Sequence, residues 1–514
     1  MNCFKPNFQK SFYIIVCIYF VSFSFLYTNP KNLSANPLIL KEKTSLICKV
    51  SDDDSIYPST LKTNYPIADS VAFAFKTNRG KSGYAISLNG KNGPLFDNIS
   101  ILGPVFSPDG RRLAYIAVKG KEVYSVIDGK KSDAYESIAE ISFSPDSSKI
   151  VFLARDINKK YFAVTDGKKG INYDGIRGEG YPVFSPDSSK VVYLAYKNKK
   201  WAIVVNDKEL KLYDDIKGPV FSPDSKHFSY MAKSNNTWVS VIDGVPGIPF
   251  DDIYTFCYSP NSEHYMYTAK KSDKQVVVFD GKIISECTEI TQPIFSPDST
   301  RYIFSEHKSD KNRIVVNKNE GPYFKNIGIY QFSPDSSRFT YVAADGKTSL
   351  VVTDNKKGKI YESVSIPIFS PDSTKIAYKA KRKDKQFFVI NGQEMPEYDE
   401  ILCFIFSPDS KHYAYAVQNK NKSFIVMDGK EWTHYDKLGM ISFSPDSKHL
   451  AYQASQDDKW FIVVDNTVSK EQFKGFLKNA PLIFTSDRAF HSLAVRSTNG
   501  PEFYKTAITI TEPN

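Results

Sequence analysis

Residues 218–232 read Gly-Pro-Val-Phe-Ser-Pro-Asp-Ser-Lys-His-Phe-Ser-Tyr-Met-Ala, and the centre of this stretch, Phe-Ser-Pro-Asp-Ser, returns along the chain at a nearly fixed step. Nine copies keep Ser-Pro-Asp intact, and most successive copies lie 37 residues apart. A fixed period of this size predicts one supersecondary unit that is copied and stacked, because a single unit cannot bury its own apolar face. The nine aspartates are Asp109, Asp146, Asp187, Asp224, Asp298, Asp335, Asp372, Asp409 and Asp446.

Three weaker copies complete the series. Residues 258–262, Tyr-Ser-Pro-Asn-Ser, fall midway in the longest gap and place Asn261 where the other copies have Asp. Residues 68–70 and 484–487 are degraded copies at the two ends. Twelve units therefore fill roughly residues 60 to 512.

Each unit contains four short segments rich in β-branched and aromatic residues. Turn residues separate them every eight to ten positions, which predicts four β-strands per unit and an all-β fold. Nineteen or twenty residues after the motif comes a hairpin turn, such as Asp243-Gly244, whose residue types accept positive φ. An aromatic residue six positions after the motif is expected to pack between neighbouring sheets. These aromatics are Phe75, Tyr115, Phe152, Tyr193, Tyr230, Tyr267, Phe304, Tyr341, Tyr378, Tyr415 and Tyr452, with Leu493 in the last unit.

The aligned aspartates permit two interpretations. They could form a ring of anion or metal contacts, or they could close twelve copies of one turn. Pro presets φ for a turn and Asp bonds nearby backbone donors, so the turn needs no ligand to explain it. Asn261, which keeps the geometry and drops the charge, favours the turn.

Four antiparallel strands per unit, stacked radially, make the blade of a β-propeller. Phe-Ser-Pro-Asp-Ser, a basic residue and an alternating strand that ends in Tyr and Ala together resemble the WD-repeat-like propeller repeat of the TolB type, over about residues 60–512. The chain departs from that family in preferring Phe before the motif and Ser after it. It also lacks the Gly-His and Trp-Asp pairs of true WD repeats, so that family's partners are not carried over.

The resemblance implies six blades per ring, and we therefore expect two tandem six-bladed propellers, at residues 61–285 and 286–514, after a linker at 36–60. One large ring is the alternative, because the 37-residue spacing continues across the middle. The last unit ends after a strand at 503–510 and lacks a fourth strand. Residues 45–50 are expected to supply it and so cover both sheet edges.

The N-terminus differs from the repeats. Lys5 and Lys10 precede an apolar run at residues 12–27, which predicts a signal peptide within residues 1–35 or an uncleaved membrane anchor. Residues 33–35, Leu-Ser-Ala, are the best cleavage site, and Cys17 does not resemble a lipid-acceptor cysteine. In either case we expect the propeller outside the cytoplasm, in the periplasm or secreted.

Neither the charge pattern nor the cysteines indicate a nucleic-acid site or a zinc site. The net charge of +10 comes mainly from lysines between strands, which are typical of solvated loops that protect sheet edges, and nothing resembles a nucleic-acid module. The cysteines beyond the N-terminal segment show no zinc spacing and are expected as small buried apolar residues, with a disulfide as the less favoured alternative. They are Cys48, Cys257, Cys287 and Cys403.

No catalytic, cofactor-binding or metal-binding residue is predicted. The chain has no G-x-S-x-G elbow, and its repeats leave no room for the hydrolase domain that follows some propellers. Its seven histidines fall in different units, and three of them, His227, His412 and His449, share one offset that suggests an exposed strand position.

Two functions from different classes remain. The first is a non-catalytic scaffold whose loops and channel bind a protein or a component of the cell envelope. The second is a hydrolase or lyase with a site in the propeller channel. Near-identical blades leave few distinctive polar residues for an asymmetric site, which favours the scaffold.

Overall fold

The computed structural model describes residues 38–51, 54–63, 70–77, 82–178, 182–308, 310–477, 481–496 and 500–512. The predictions for residues 1–35 and for the motif remnant at 68–69 lie outside these ranges. The described residues are all-β apart from one turn of 3-10 helix at Pro58–Thr60. Among them, no helix is long and apolar enough to span a membrane.

Twelve antiparallel sheets follow one another along the chain. Each takes its strands in chain order, except that the last sheet takes its fourth strand from the N-terminus. The Ser-Pro-Asp turn joins the first strand of a blade to the second, and the Asp-Gly or Asn-containing hairpin joins the third to the fourth. Because the strands alternate in direction, both kinds of turn lie at the same end of the sheet, which we name the turn face. Both central hairpin residues have positive φ, 50° at Asp243 and 84° at Gly244, as predicted.

The strands of blades 1 to 4 are β2 (Asp54–Ile56), β3 (Lys62–Thr63), β4 (Val71–Thr77), β5 (Gly83–Leu88) and β6 (Lys91–Asn92); β7 (Asn98–Ile99), β8 (Val105–Phe106), β9 (Leu113–Lys119), β10 (Glu122–Ile127) and β11 (Lys130–Lys131); β12 (Ser137–Phe143), β13 (Ile150–Arg155), β14 (Tyr161–Thr165) and β15 (Lys168–Lys169); and β16 (Gly175–Ile176), β17 (Val183–Phe184), β18 (Val191–Lys197), β19 (Lys200–Val205) and β20 (Lys208–Tyr213).

The strands of blades 5 to 8 are β21 (Asp215–Phe221), β22 (Phe228–Ser234), β23 (Thr237–Ile242) and β24 (Val245–Phe250); β25 (Asp252–Tyr258), β26 (Tyr265–Lys271), β27 (Lys274–Phe279) and β28 (Lys282–Cys287); β29 (Glu289–Ile290), β30 (Ile294–Phe295), β31 (Tyr302–Lys308), β32 (Lys311–Val316) and β33 (Asn319–Glu320); and β34 (Asn326–Phe332), β35 (Phe339–Asp345), β36 (Thr348–Thr353) and β37 (Lys356–Tyr361).

The strands of blades 9 to 12 are β38 (Ser363–Val364), β39 (Ile368–Phe369), β40 (Ile376–Arg382), β41 (Lys385–Ile390) and β42 (Gln393–Glu394); β43 (Glu400–Phe406), β44 (Tyr413–Asn419), β45 (Lys422–Met427) and β46 (Lys430–Glu431); β47 (Lys437–Phe443), β48 (Leu450–Gln456), β49 (Lys459–Val464) and β50 (Thr467–Val468); and β51 (Gly475–Phe476), β52 (Ile483–Ser486), β53 (Ala489–Val495) and β54 (Glu502–Thr511), with β1 (Ile39–Lys49) as the fourth strand of blade 12.

The closing strand predicted at residues 45–50 is confirmed and is longer than expected. β1 pairs antiparallel with β54 over its whole length, from Ile39 opposite Thr511 to Lys49 opposite Glu502. The carboxylate of Glu42 also accepts the backbone N–H groups of Lys470 and Glu471, at 2.7 and 2.9 Å. The N-terminal strand therefore ties the two ends of the repeat array together.

The twelve blades form one closed ring, because every consecutive pair shares an apolar cluster. Blades 6 and 7, on either side of residue 285, pack through Met266 and Phe304. Blade 12 packs on blade 1 through Leu493 and Phe73. Two six-bladed rings would instead pair blade 6 with blade 1 and blade 12 with blade 7. Of the two arrangements that the sequence left open, the structure has the single large ring and not the two tandem propellers expected first.

The repeated aromatic residues are buried between neighbouring sheets, as predicted. Tyr193, Tyr341 and Tyr452 are each completely buried, and each packs on the preceding blade. In blade 1 the equivalent residue is Phe73 rather than Phe75. The Val71 N–H donates to the Asn89 side chain at 2.8 Å, and this bond fixes the register of the strand. In that register the residue that packs between the sheets lies two positions earlier than the spacing from the motif predicts.

Candidate functional site

The Ser-Pro-Asp aspartates hold the turns together. In blade 5 the buried Ser222 hydroxyl donates to Asp224 Oδ1 at 2.6 Å and accepts the N–H of His227 at 2.9 Å. Ser259 makes the same contact with Asn261 at 2.7 Å. These partners are the ones that the interpretation as turn closers predicts.

The serine after the aspartate has a role that sequence reasoning missed. Ser225 adopts a φ of 62°, and its hydroxyl oxygen accepts the backbone N–H of Asp187 in the preceding blade at 3.0 Å. Glycine would tolerate the same φ but could not make this bond. We call the interface between two neighbouring blades a seam. The preference for Ser over Gly is thus explained by a hydrogen bond across the seam. The serines that accept such a bond are Ser147, Ser188, Ser225, Ser262, Ser299, Ser336, Ser373, Ser410 and Ser447.

The aligned histidines belong to the turn face. His227 and His412 bind the carboxylates of their own hairpins, Asp243 and Asp428, at 2.7 and 2.6 Å. His264 shares this offset, which becomes visible once Asn261 is counted as a motif residue. The prediction of exposure is confirmed for His227 and His412 and is wrong for His449, which is buried. The remaining histidines, His307, His434 and His491, lie at unrelated places.

The four cysteines beyond residue 37 are free thiols. Cys48 and Cys287 are buried, as predicted, and Cys257 and Cys403 are half-buried. Burial raises the pKa of Cys48 and Cys287 to about 11, so both stay protonated near neutral pH. Among the described residues, no three His, Cys, Asp or Glu side chains come together as a metal-binding group.

The first strand of each blade is the innermost. First strands of neighbouring blades contact each other directly, as β21 contacts β25. The hydroxyl oxygens of Tyr330 in β34 and Thr291 in blade 7 are 2.7 Å apart. Twelve such strands, spaced by roughly 8–10 Å on a circle, leave roughly 30–40 Å between opposite backbones. The first strands are therefore the wall of a wide central channel.

Each first strand is interrupted near its middle. A β-bulge shifts the register in blades 3, 5, 6, 8, 10 and 11, and the strand is split in two in the others. A bulge leaves one residue unpaired and re-aims its side chain. Tyr254 and Leu402 are such residues, and both are exposed. The interruption thus presents a side chain of the strand to the channel.

The channel wall includes a polar and an apolar sector, and blade 2 adds two exposed apolar residues, Ile101 and Leu102, where its first strand is split. The polar sector, in blades 4 to 6, consists of Arg177, Asp215, Lys217 and Asp252. The Arg177 guanidinium binds Asp215 at 2.9 Å, and the Lys217 ammonium binds Asp252 at 2.6 Å. The apolar arc, on the four consecutive blades 8 to 11, consists of five exposed side chains. They are Ile329, Ile366, Ile368, Leu402 and Met440.

One cation lies beside the apolar arc. Lys379 extends from the second strand of blade 9, and its ammonium group donates to the carbonyl of Ile401 in blade 10 at 3.3 Å. Ile401 immediately precedes Leu402 in the wall. At the same offset, seven residues after the motif aspartate, blades 8 and 10 have Val342 and Ala416. The lysine therefore places a positive charge next to the exposed Leu402.

Blade 7 carries a buried charged pair inside its seam with blade 6. Glu306 and Arg313 replace an alanine and an apolar residue of the other blades, and both are buried. Arg313 Nε donates to Glu306 at 2.6 Å, and its other nitrogens bind Glu320. Ser285 of blade 6 donates to the second oxygen of Glu306 at 2.8 Å. Both Glu306 oxygens are thus engaged, and the group is a closed ion-pair network.

Comparisons with known proteins find only solved structures of low identity. No protein-family model and no curated protein sequence matches it. Among solved structures, a eukaryotic initiation factor is similar at 15% identity, over 71% of this chain and 96% of that one, with a TM-score of 0.35. TolB from Acinetobacter baumannii matches at 15% identity, over 50% and 78%, with a TM-score of 0.23. The dihydro-heme d1 dehydrogenase NirN, in complex with DHE, matches at 13%, over 54% and 70%, with 0.27.

Sequence reasoning found the turns but not the channel wall. The residues of the apolar arc lie six or seven positions before the motif aspartate, apart from Ile368 at four. There the alternation of the first strand breaks, as in Ile327-Gly328-Ile329-Tyr330. That broken alternation was the available signal.

Proposed function

We propose that this chain is a non-catalytic β-propeller scaffold that binds a protein partner along its central channel. The observation that carries the proposal is the apolar arc. Single exposed apolar residues are ordinary on protein surfaces, but neighbouring ones on consecutive blades form a patch that water solvates poorly. A partner that covers the arc would recover part of that hydrophobic free energy.

The channel width and the arc together describe the partner. An α-helix with its side chains is roughly 10–12 Å across, so a channel with roughly 30–40 Å between opposite backbones admits one or more folded elements. Contact with Ile366 and Leu402 requires apolar side chains on the partner, and Lys379 favours an acidic residue beside them. We propose an apolar protein segment that carries a carboxylate.

The proposal also includes the location of the protein in the cell. The basic start and apolar run of residues 12–27 support a location outside the cytoplasm, and a partner in the cell envelope would share that location. Ile39 lies opposite Thr511, which ends the third strand of blade 12 at the turn face. A membrane anchor at residues 12–27 would therefore hold the turn face toward the membrane.

Blade 7 supports a scaffold over an enzyme. A catalytic carboxylate needs an oxygen available to a substrate, whereas Glu306 is engaged by Arg313 and Ser285 at both oxygens. The buried Glu306–Arg313 pair thus binds residues of the chain itself and leaves no carboxylate oxygen for a substrate.

A matched pair of double variants tests the proposal. Ile366→Asp with Leu402→Asp places two charges in the apolar arc. Ile283→Asp with Ile360→Asp places two charges on exposed fourth strands at the outer rim, where these side chains are 37% and 66% exposed. The full chain and both variants serve as baits on a membrane-associated fraction. We expect a captured protein that the rim variant retains and the arc variant loses by at least about tenfold. Equal capture by both variants would overturn the channel as the binding surface.

A further inference from the structure

A cavity of about 370 Å³ opens between blades 8 and 9 at the turn face, away from the channel wall. Its blade 8 side is formed by Arg338, Lys356 and Gly358, with Val351 beneath. Its blade 9 side is formed by residues of the second strand and of the hairpin, among them Tyr378 and Gly392. The cavity thus combines an apolar floor with a basic rim.

Other seams show what occupies this place. In the seam between blades 3 and 4, Asp207 Oδ1 lies 2.6 Å from the point that a Cβ on Gly170 would occupy. The hydroxyl of the buried Tyr193 donates to that carboxylate at 3.0 Å. In the seam between blades 7 and 8, Asn355 Oδ1 lies 2.7 Å from the corresponding point on Gly321. In both cases the second hairpin residue of one blade fills the space above a glycine in the fourth strand of the preceding blade.

The seam between blades 8 and 9 has the same space above a fourth-strand glycine, but no hairpin side chain fills it. Gly358 is the fourth-strand glycine, and the second hairpin residue is Gly392, which has no side chain. A Cβ on Gly392 would meet nothing within 4 Å. In the seam between blades 5 and 6 the Ser240 hydroxyl occupies the space above Gly247, whereas the equivalent residue of blade 8 is Val351.

The groups around the empty place match a carboxylate. Tyr378 corresponds to Tyr193, which donates to Asp207 in its own seam. Burial raises the pKa of Tyr378, so its phenol stays protonated and remains a donor. Lys356 lines the cavity on the same side of the fourth strand as Gly358, and no acidic residue lines it with them. Two carboxylates close by are already held within the chain: Asp354 binds the rim residue Arg338 at 3.2 Å, and Glu394 binds Arg382 at 3.0 Å. A further negative group would gain Tyr378 as a donor and the Lys356 ammonium as a cation.

We propose that this cavity is a binding site for a carboxylate that carries a short apolar body, held as the chain itself holds Asp207 between blades 3 and 4. The carboxylate can belong to a free small acid or to an acidic side chain of a partner. Both sources share the recognition chemistry, and the site is independent of the channel.

Ligand binding tests the charge and the source. Propionate, propionamide and N-acetyl-aspartate amide are titrated into the full chain by calorimetry. We expect propionate to bind about tenfold more tightly than the neutral propionamide, because a charge-assisted bond is lost with the charge. Tighter binding of the aspartate derivative than of propionate would identify a peptide as the source, and the reverse would identify a free acid. Equal affinity of propionate and propionamide would overturn the proposal.

A self-filling variant tests the location. Gly392→Asn supplies the side chain that Asn355 supplies in blade 8, at a backbone φ of 82° where the equivalent Asn355 adopts 61°. We expect this variant to have a higher Tm and to lose propionate binding. Gly429→Asn is the matched control, since the preceding blade there has Met395 in place of the fourth-strand glycine. It should bind propionate as the parent does. Undiminished binding by the folded Gly392→Asn variant would overturn the assignment.

Discussion

The seam between blades 6 and 7 and the seam between blades 10 and 11 occupy equivalent places in the ring but are built differently. In the latter, Ala454 and Phe461 of blade 11 pack on Ala416 and Ile425 of blade 10, and the contact is apolar. In the former, Glu306 stands in the place of Ala454 and Arg313 in the place of Phe461. Both seams join four-stranded antiparallel blades and keep the cross-seam serine bond, although the first strand is split in blade 7 and bulged in blade 11.

The difference shows that the blade geometry does not depend on the chemistry at the centre of the seam. Turns, hairpins and edge pairing set the geometry. The side chains in the seam have only to fill the space between the sheets and to give each buried polar group a partner. A buried ion pair is weak evidence for stability, because desolvation offsets its attraction. Its partners are specific, however. Glu306 binds Ser285 of blade 6, so blade 7 fits that neighbour better than another copy of the repeat. Near-identical units are prone to misassembly, and such a seam favours the correct order.

The largest expected effect comes from opening the ionic seam. Arg313→Ala leaves Glu306 buried without its cation and removes the contact of the guanidinium with Tyr323. We expect a loss of about 3–5 kcal/mol in the free energy of unfolding. Urea unfolding measures the total, and hydrogen exchange in β28 and β31 locates it.

The double replacement separates charge from packing. Glu306→Ala with Arg313→Phe converts the seam to the composition of blade 11, and we expect its stability within about 1 kcal/mol of the parent, or higher. If the double variant were as unstable as Arg313→Ala, the two seams would not be interchangeable in the way the comparison implies.

The second prediction acts on the apolar seam. Tyr452 is completely buried and lies beside Trp432 and Tyr435. Tyr452→Ala should cost about 3 kcal/mol, because a large aromatic truncation leaves a cavity. Tyr452→Phe is the control, since it keeps the ring and removes only the hydroxyl. Comparable urea midpoints for the Ala and Phe variants would mean that packing of the ring does not hold this seam.

The two seams also show what the sequence could predict. The period, the strand number, the hairpins, the buried aromatic ring and the closing N-terminal strand follow from local patterns repeated often enough to exclude chance. The number of rings did not follow. Nothing in the residues at 275–295 marks whether blade 6 turns back to blade 1 or continues to blade 7, and that choice depends on packing between distant units.

The channel wall could be predicted only in part. The apolar residues of the arc occur in a strand whose alternation is broken, which is visible in Gly439-Met440 as much as in Gly328-Ile329. Their exposure depends on the bulge and on the position of the first strand at the centre of the ring. Both are properties of the assembled fold. The empty place above Gly358 likewise appears only when the seams are compared in three dimensions.

A third prediction concerns a feature common to both seams. Ser447 accepts the N–H of Asp409 between blades 10 and 11, and Ser299 accepts the N–H of Asn261 between blades 6 and 7, each at 3.0 Å. Ser447→Gly and Ser299→Gly keep the positive φ and remove the bond. We expect each to cost about 1 kcal/mol in urea unfolding. Unequal costs would show that the ionic seam changes the turns as well as the centre.

The smallest expected effect is a difference in acid sensitivity between adjacent turns. The pKa of Asp298 is lowered from its ordinary 3.8 to about 2. The main cause is the hydrogen bond from the Ser296 hydroxyl, and the backbone N–H of Thr300 contributes next. Because the folded-state pKa is the lower one, the ionised turn stabilises the fold above about pH 4, and this contribution is lost as the pH falls toward 2. Asn261, one blade earlier, has no such dependence. Asp298→Asn should therefore flatten the fall in urea midpoint between pH 4 and 2, and Asn261→Asp should steepen it. Parallel pH profiles for the two variants would mean that the turn carboxylates act through hydrogen-bond geometry alone, and that blades 6 and 7 differ only at the centre of their seam.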